Sequence, residues 1–114
     1  MMKLNRGDII LVEVFFSDGT GAKLRPALIL SDSDYNKSRD EIIISAITSN
    51  VKHFYNGDTE IIHWEKAGLK IASLATAILQ TVKKDRVKKH LGQIEKSDFN
   101  KIGKNISKIL GFSV

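Results

Sequence analysis

The sequence predicts a single domain over residues 1–114 that is mainly β, with one helix at its C-terminal end. Runs of β-branched and aromatic residues, each bounded by turn formers, recur from residue 9 to residue 94. Only the last segment repeats its apolar residues at helical spacing. The length of 114 residues, with 42% hydrophobic and 27% charged residues, is typical of one soluble globular domain. No repeat, low-complexity segment or linker indicates a second domain.

The composition excludes several classes of chemistry. The chain has no cysteine, so disulfides, thiolate catalysis and zinc–thiolate sites are ruled out. Its three histidines are too dispersed to form a metal-binding motif, and we expect neither a metal nor another cofactor. Lys3, Arg6 and Asp8 interrupt the N-terminus before an apolar segment develops, and no apolar run is long enough for a membrane span. We therefore expect a cytoplasmic protein without membrane contact.

The charge of the chain indicates an anionic partner. The formal net charge is +5 and the sequence pI is about 9.5. Nucleic acid and a protein partner with an acidic segment are the first candidates. Charge alone does not choose between them.

The first strand is predicted over residues 9–16, because the turn signal Gly7-Asp8 precedes a β-branched and aromatic run. Residues 17–21 contain two glycines and small polar residues, which favour a flexible loop. This loop is either a lid or partner-docking segment next to Arg25, or simply a long hairpin connection.

The second strand is predicted from about Arg25 to Asp32, with a loop over residues 33–38 behind it. Pro26 cannot donate a hydrogen bond, so it suits the first residue of a strand or an edge, and it keeps Arg25 extended. An arginine at a strand entrance can direct its planar donors at a phosphate or a carboxylate. A surface salt bridge is the more common role for such a residue.

The third strand, over residues 42–50, is apolar on both faces for most of its length, as expected of a strand buried at the centre of a small barrel. Thr48 and Ser49 lie where it emerges, so at least one hydroxyl is expected within reach of solvent or a ligand. Ordinary turn chemistry at a strand end is the alternative.

The segment after Asn50 combines a loop and two further strands. His53, Phe54 and Tyr55 lie in a polar loop, where an aromatic ring either stacks on an unpaired base or covers the core. Residues 59–64 are predicted as a short strand. Residues 71–82 suit helix or strand, and the β-branched residues favour a strand from about Ser73.

The last part of the chain contains a basic run and the one clear helix. Lys83, Lys84, Arg86, Lys88 and Lys89 surround one acid in residues 83–90, which indicates either phosphate binding or a solvated turn. Residues 91–94 are predicted as a short strand or turn. The helix is predicted to begin at an N-cap Ser97 and to end at Gly111, with an apolar face at helical spacing formed by Phe99, Ile102, Ile106, Ile109 and Leu110.

Five segments, taken in their order and spacing, resemble the MazF/PemK family of toxin endoribonucleases over nearly the whole chain. They are Gly7-Asp8-Ile9-Ile10-Leu11-Val12, Arg25-Pro26-Ala27-Leu28-Ile29-Leu30-Ser31, Ile47-Thr48-Ser49, Gln80-Thr81-Val82-Lys83-Lys84-Asp85-Arg86 and Leu91-Gly92. The resemblance implies an SH3-like, mostly antiparallel β-barrel of the MazF/PemK/CcdB type with a C-terminal helix. It also implies a homodimer, and a toxin of a type II toxin–antitoxin system inhibited by an acidic cognate antitoxin.

The resemblance further implies metal-independent cleavage of single-stranded RNA. In this reaction a ribose 2′-OH attacks the neighbouring phosphate and leaves a 2′,3′-cyclic phosphate and a 5′-OH. Arg25 matches the family's arginine before the proline and would bind the phosphate, while its part in proton transfer stays open. Thr48 matches the hydroxyl that holds phosphoryl oxygens. RNA contacts are expected from Ser49, Gln80, Lys83, Lys84 and Arg86.

The general acid and base are not assigned by the resemblance. Ser17 or Asp18 lies near where one is expected, and His53 and Glu13 are further candidates. Residues 17–24 resemble the mobile loop that antitoxins displace. The alternative function is a non-catalytic barrel of the same fold that binds a protein target such as a topoisomerase, or binds nucleic acid without cleaving it.

Overall fold

The protein is built around one six-stranded sheet in which all neighbouring strands are antiparallel. The computed structural model describes residues 2–15 and 18–112. The elements are β1 (Asp8–Phe15), β2 (Ala22–Ile29), α1 (Ser33–Ser38), β3 (Glu41–Thr48), β4 (Thr59–Glu60), β5 (Leu74–Lys83), a 3₁₀ turn (Lys84–Arg86), β6 (Val87–Gln93) and α2 (Lys96–Leu110). The strand order is β4-β5-β3-β2-β1-β6, so β4 and β6 form the two edges. The predicted antiparallel β architecture with a C-terminal helix is confirmed, but the sheet is not closed.

Two apolar cores lie on opposite faces of the sheet. Because side chains alternate along a strand, Ile9 and Leu28 join one cluster, which includes Ile102 and Ile106 of α2. The neighbouring residues face the other way and form the second cluster, whose members are Ile10, Val12, Ala27, Ile29, Ile42, Ile44, Val82 and Val87. Burying each large aliphatic side chain contributes about 1.5–3 kcal/mol. Among the described helices, none is long and apolar enough to cross a membrane.

The prediction of a loop over residues 33–38 is wrong, because this segment forms α1. Asp32 caps the helix by accepting a hydrogen bond of 3.1 Å from the backbone N–H of Asp34. The buried Asn36 amide donates to the carbonyl oxygens of Ser31 and Leu4, at 3.0 and 3.3 Å, and accepts from the Ser31 hydroxyl. The bonds to Ser31 and the non-local bond to Leu4 hold a turn-forming sequence in a short helix.

The strand predicted over residues 59–64 is also wrong beyond Glu60, where the chain enters a turn. The buried carboxylate of Asp98 accepts hydrogen bonds from the backbone N–H groups of Ile62 and His63, at 3.2 and 2.9 Å. These two N–H groups are therefore satisfied by a side chain of α2 and not by a neighbouring strand.

The start of α2 differs from the prediction, while its end agrees. The N-cap is Glu95 and not Ser97, and the backbone N–H of Phe99 already donates to the Glu95 carbonyl oxygen at 3.0 Å. Gly111 ends the helix with φ 79°, a left-handed conformation that glycine adopts readily. The expected apolar face is confirmed at the buried Ile102 and Ile106 and at the partly buried Phe99, whereas Ile109 and Leu110 are exposed.

Several strand boundaries differ from the predicted ones. β5 confirms the strand predicted from about Ser73, and β6 is longer than the expected segment 91–94. β2 begins at Ala22 and ends at Ile29, three residues earlier than predicted at each end. The predicted last residue of β1, Phe16, lies outside the described residues.

Candidate active site

The site begins where β2 and β3 separate. The pairing of these strands runs from Ile29 opposite Ile44 to Ala27 opposite Ala46 and stops there. Pro26 then pairs with β1 alone, as suits a residue that cannot donate to a second neighbour. Pro26 thus lies at an edge as expected, although Arg25 is inside β2 and not at its entrance.

Arg25 and Thr48 are matched positions across this opening. If the pairing of Ala27 with Ala46 continued by two residues on each strand, Arg25 would lie directly opposite Thr48. Residues two apart on a strand share a face, so both side chains project on the same side as the alanines. Both residues line one cavity.

The main cavity, as we call it, has a volume of about 690 Å³ and extends from the second apolar core toward the solvent. Val12, Ala27 and Ile44 belong to both the core and the cavity wall. Its polar and charged lining side chains are Arg25, Thr48, Ser49, Lys70, Ser73, Gln80 and Lys89.

The electrostatics of the main cavity favour an anion. Arg25, Lys70 and Lys89 line it, and among the described residues no acidic side chain does. Within the described part of the chain, no carboxylate lies within ion-pair distance of the Arg25 guanidinium. The surface salt bridge is therefore not formed in this part, and the five donors of Arg25 face a site without a counter-charge.

The Thr48 hydroxyl is oriented by its own strand end. Its Oγ1 accepts a hydrogen bond of 3.1 Å from the backbone N–H of Asn50. This bond occupies one lone pair of the oxygen and leaves the hydroxyl hydrogen available to donate to a ligand. Thr48 therefore combines the two expected roles. Its hydroxyl makes a turn hydrogen bond at the strand end, and the same hydroxyl lines the main cavity.

A bulge in β5 shapes the floor of the site. Between Ser45 and Ile47 of β3, the partner residue on β5 changes from Leu79 to Ala75. The Ser45 hydroxyl donates to the Thr76 carbonyl oxygen at 2.6 Å, and the Thr76 hydroxyl donates to the Ala46 carbonyl oxygen at 2.7 Å. These buried bonds stabilise the irregular stretch, as is common next to active sites.

The residues beyond this bulge are presented to the cavity. Ile78 is 60% exposed and lines the main cavity together with Gln80. Gln80 pairs with Ile44, so its amide lies on the face that carries Ala46 and Thr48.

One wall of the main cavity depends on a contact between two glycines. Gly68 has φ +88°, and a Cβ on it would lie 2.1 Å from the Leu91 carbonyl oxygen. A Cβ on Gly92 would lie 2.3 Å from the Ala67 carbonyl oxygen. No side chain fits on either residue, so the backbone at Gly68 packs directly on β6 and holds the segment that continues to Lys70.

A second cavity of about 330 Å³ adjoins the first and shares Thr48 and Ile78 with it. Its remaining lining residues are Asn50, His53, Tyr55, Asn56, Asp58, Thr76 and Ala77. His53, one candidate for proton transfer, thus lines the second cavity and not the main cavity.

The other candidates for proton transfer are less well placed. Glu13 pairs with Leu24, so it faces away from Arg25, whose partner is Val12. Asp18 does not line either cavity, and hydrogen bonds from the Thr20 hydroxyl and backbone N–H, at 2.7 and 3.0 Å, lower the pKa of its carboxyl. Asp18 is therefore a weakened base. Ser17 lies outside the described residues.

The structure divides the predicted RNA-binding residues. Ser49 and Gln80 join Arg25 and Thr48 in the main cavity, whereas three cations of the basic run do not line it: Lys83, Lys84 and Arg86. The Arg86 guanidinium instead lies over the Phe15 ring, 4.3 Å from its centroid.

Two lysines of the main cavity were missed as site residues. Lys89 belongs to the basic run, but two register irregularities between β1 and β6 decide which of its lysines reaches the cavity. No sequence pattern indicates Lys70. Its position depends on the contact between the preceding turn at Gly68 and the backbone at Leu91 and Gly92, which are distant in the sequence. No group of three or more His, Asp or Glu side chains able to hold a metal occurs in residues 2–15 and 18–112.

The fold and the site define a class of protein: a small antiparallel β protein with a C-terminal helix and a cationic cavity suited to a phosphate. Residues 5–110 match the family model of PemK-like, MazF-like toxins of type II toxin–antitoxin systems. This match spans almost the whole chain, so the protein belongs to that toxin family, and the predicted membership is confirmed.

Solved structures show the same fold at low sequence identity. A mycobacterial endoribonuclease superposes with a TM-score of 0.79 at 17% identity, over 100% of this chain and 97% of its own. The Mycobacterium tuberculosis toxin MazF-mt6 gives 0.78 at 18% identity, over 94% of this chain and 99% of its own. A chain of the Deinococcus radiodurans MazE–MazF crystal structure gives 0.80 at 16% identity, over 98% of this chain and 100% of its own. A comparison with curated protein sequences finds no significant match.

Proposed function

We propose that this toxin is an endoribonuclease that cleaves single-stranded RNA, including mRNA, in the main cavity. The observation that carries the proposal is the matched placement of Arg25 and Thr48 in a cavity lined by three cations and no carboxylate. A phosphodiester is the anion that a planar guanidinium and an adjacent hydroxyl bind well. Solved structures with this fold include a mycobacterial endoribonuclease and the toxin MazF-mt6, which agrees with this chemistry.

In the proposed reaction the ribose 2′-OH attacks the adjacent phosphorus, and the bond to the 5′-oxygen of the next nucleotide breaks. The products are a 2′,3′-cyclic phosphate and a 5′-OH. Arg25 stabilises the negative charge that grows on the nonbridging oxygens, and the Thr48 hydroxyl donates to one of them. Lys70 and Lys89 add positive potential around the same position.

Proton transfer needs a base for the 2′-OH and an acid for the leaving oxygen. Arg25 is a poor base because its guanidinium stays protonated. Of the other candidates, His53 is the one that lines a cavity shared with Thr48. We assign His53 as the first residue to test for this step, with a fall in kcat in His53→Gln as the expected result.

The direct test is incubation of the purified chain with mixed single-stranded RNA in the presence of a chelator. We expect fragments with 5′-OH ends that disappear in Arg25→Ala. The matched control is Arg39→Ala, which removes an exposed arginine that pairs with Glu41 at 3.2 Å outside the cavity. Intact RNA over a wide range of protein concentration contradicts the proposal, and RNA that binds without being cut supports the non-catalytic alternative.

The proposed partners follow from the toxin family and from the charge. An acidic cognate antitoxin would cover the cationic cavity, and one solved structure with this fold is an endoribonuclease in complex with its cognate antitoxin. We propose that the toxin works as a homodimer in the cytoplasm, where its RNA substrate is found. Light scattering on the purified chain measures the dimer, and a monomer at micromolar concentration contradicts it.

A further inference from the structure

The second cavity adjoins the main cavity at Thr48 and Ile78. The two cavities therefore meet at the residue proposed to hold the phosphate. Its volume of about 330 Å³ is within the range of sites that bury small organic groups. A strand whose phosphate contacts Thr48 therefore has one adjacent group close to this cavity.

The chemistry of the second cavity differs from that of the main cavity. In the part of the chain that the structure describes, no lysine or arginine lines it, so it is not suited to a phosphate. It offers instead the amides of Asn50 and Asn56, the carboxylate of Asp58, the ring of Tyr55 and, as the candidate for proton transfer, the imidazole of His53. Amides and carboxylates read the donors and acceptors on base edges, and aromatic rings stack on unpaired bases.

The loop that carries these groups is held in place before any ligand binds. The buried Asp58 carboxylate accepts a hydrogen bond of 2.9 Å from the backbone N–H of Tyr55, and the Tyr55 carbonyl oxygen accepts one of 3.0 Å from the Asp58 N–H. Gly57 has φ +96°, and a Cβ on it would lie 2.7 Å from the Ala77 Cβ. The turn therefore packs on β5, while the Tyr55 side chain stays 70% exposed and available for stacking.

We infer that the second cavity binds the nucleobase of a nucleotide next to the scissile phosphate and sets the base preference of the toxin at that position. Tyr55 stacks on the base, and Asn50 reads its edge from the strand end beside Thr48. The inference rests on the proposed RNA cleavage, because it names a part of the substrate of that same site.

The test compares base preference in wild type, Tyr55→Ala and Asn50→Ala. Each protein cleaves an RNA pool of random sequence, and the 5′-OH ends are sequenced. We expect both variants to lose preference at one and the same position next to the cut, and to cleave the preferred sequence about tenfold more slowly. An abasic nucleotide at that position should slow the wild type to the rate of the variants without slowing the variants further.

The matched control is Phe54→Ala, because Phe54 is a neighbouring aromatic residue that is 63% exposed and does not line the second cavity. Tyr55→Phe keeps the ring and should keep the preference, which separates stacking from a folding defect. Unchanged preference in both alanine variants overturns the inference and leaves RNA cleavage intact. A variant that loses only inhibition by an acidic protein partner also overturns it, because the cavity then binds a protein segment. A wild type that leaves the whole RNA pool intact overturns the proposed function, and the inference with it.

Discussion

The main cavity and the basic run at residues 83–89 concentrate positive charge in different ways. The basic run has five cations close together in the sequence, yet four of them do not line the main cavity, namely Lys83, Lys84, Arg86 and Lys88. The cavity draws its three cations from three separate parts of the chain, namely Arg25, Lys70 and Lys89. Strand pairing and the packing of Gly68 on β6, more than charge density along the chain, thus decide where these cations converge.

This difference predicts two kinds of dependence on charge. Cations that converge on one phosphate stabilise charge that develops in the transition state, which raises kcat. Cations spread along a turn and an edge strand attract RNA from solution, an effect that salt screens. Substitutions in the two regions should therefore change different kinetic constants.

The largest effect is expected from Arg25→Ala. Removing the guanidinium leaves the developing phosphorane charge without its main donor, so kcat should fall by about 10³-fold, on the scale of a lost oxyanion donor. Single-turnover RNA cleavage measures this fall. Arg25→Lys keeps the charge but not the planar donors and should recover only part of the rate. A loss seen in KM alone would place Arg25 with the steering cations.

The next largest effect is expected from Gly68→Ala, which tests whether the cavity wall depends on backbone contact. The new Cβ clashes with the Leu91 carbonyl oxygen and adopts a positive φ, so the free energy of unfolding should fall by about 3 kcal/mol. Urea unfolding measures the change.

The control for that substitution is Gly103→Ala within α2. A Cβ on Gly103 meets nothing within 4 Å, so alanine should raise stability by up to about 1 kcal/mol through helix propensity. Equal effects at Gly68 and Gly103 would show that the wall does not need the close contact.

A smaller effect on kcat, about 10²-fold, is expected from Thr48→Val. Valine keeps the shape but removes the hydroxyl that would donate to the phosphoryl oxygen. Thr48→Ser keeps the donor and should stay within tenfold of wild type. The measurement is kcat on a single defined RNA, and a full rate in Thr48→Val would remove Thr48 from the chemistry.

The smallest effect is expected from the triple variant Lys83→Ala, Lys84→Ala and Arg86→Ala. KM should rise a few fold with kcat unchanged, and kcat/KM should fall less steeply with salt because fewer cations attract the strand. Kinetics from low to high salt check this. A collapse of kcat in the triple variant would mean that the basic run belongs to the catalytic site and does not only attract RNA.

Local sequence signals predicted most of the elements but not their ends. β1, β3, β5 and α2 follow from runs of β-branched residues and from helical spacing. α1 and the turn after Glu60 were missed because both depend on distant partners. Asn36 reaches the Leu4 carbonyl oxygen, and Asp98 takes the N–H groups of Ile62 and His63.

The candidate site was predicted in part for the same reason. Arg25, Thr48, Ser49 and Gln80 line one cavity, and their roles in RNA binding and cleavage stay predictions. Lys70 could not be found, because nothing near it in the sequence reports the packing of Gly68 on Leu91. The side of β6 that Lys89 faces depends on two register irregularities, which residue type alone does not specify.

The sequence by itself determined a basic, mainly β domain with a C-terminal helix, and it placed an arginine before a proline that cannot complete a strand ladder. These properties are local, since they depend on side-chain type and on neighbours along the chain. The tertiary structure decided that β2 and β3 separate beyond Ala27 and Ala46, which puts Arg25 across from Thr48. Register between distant strands is set by packing on both faces of the sheet, and no single segment contains that information.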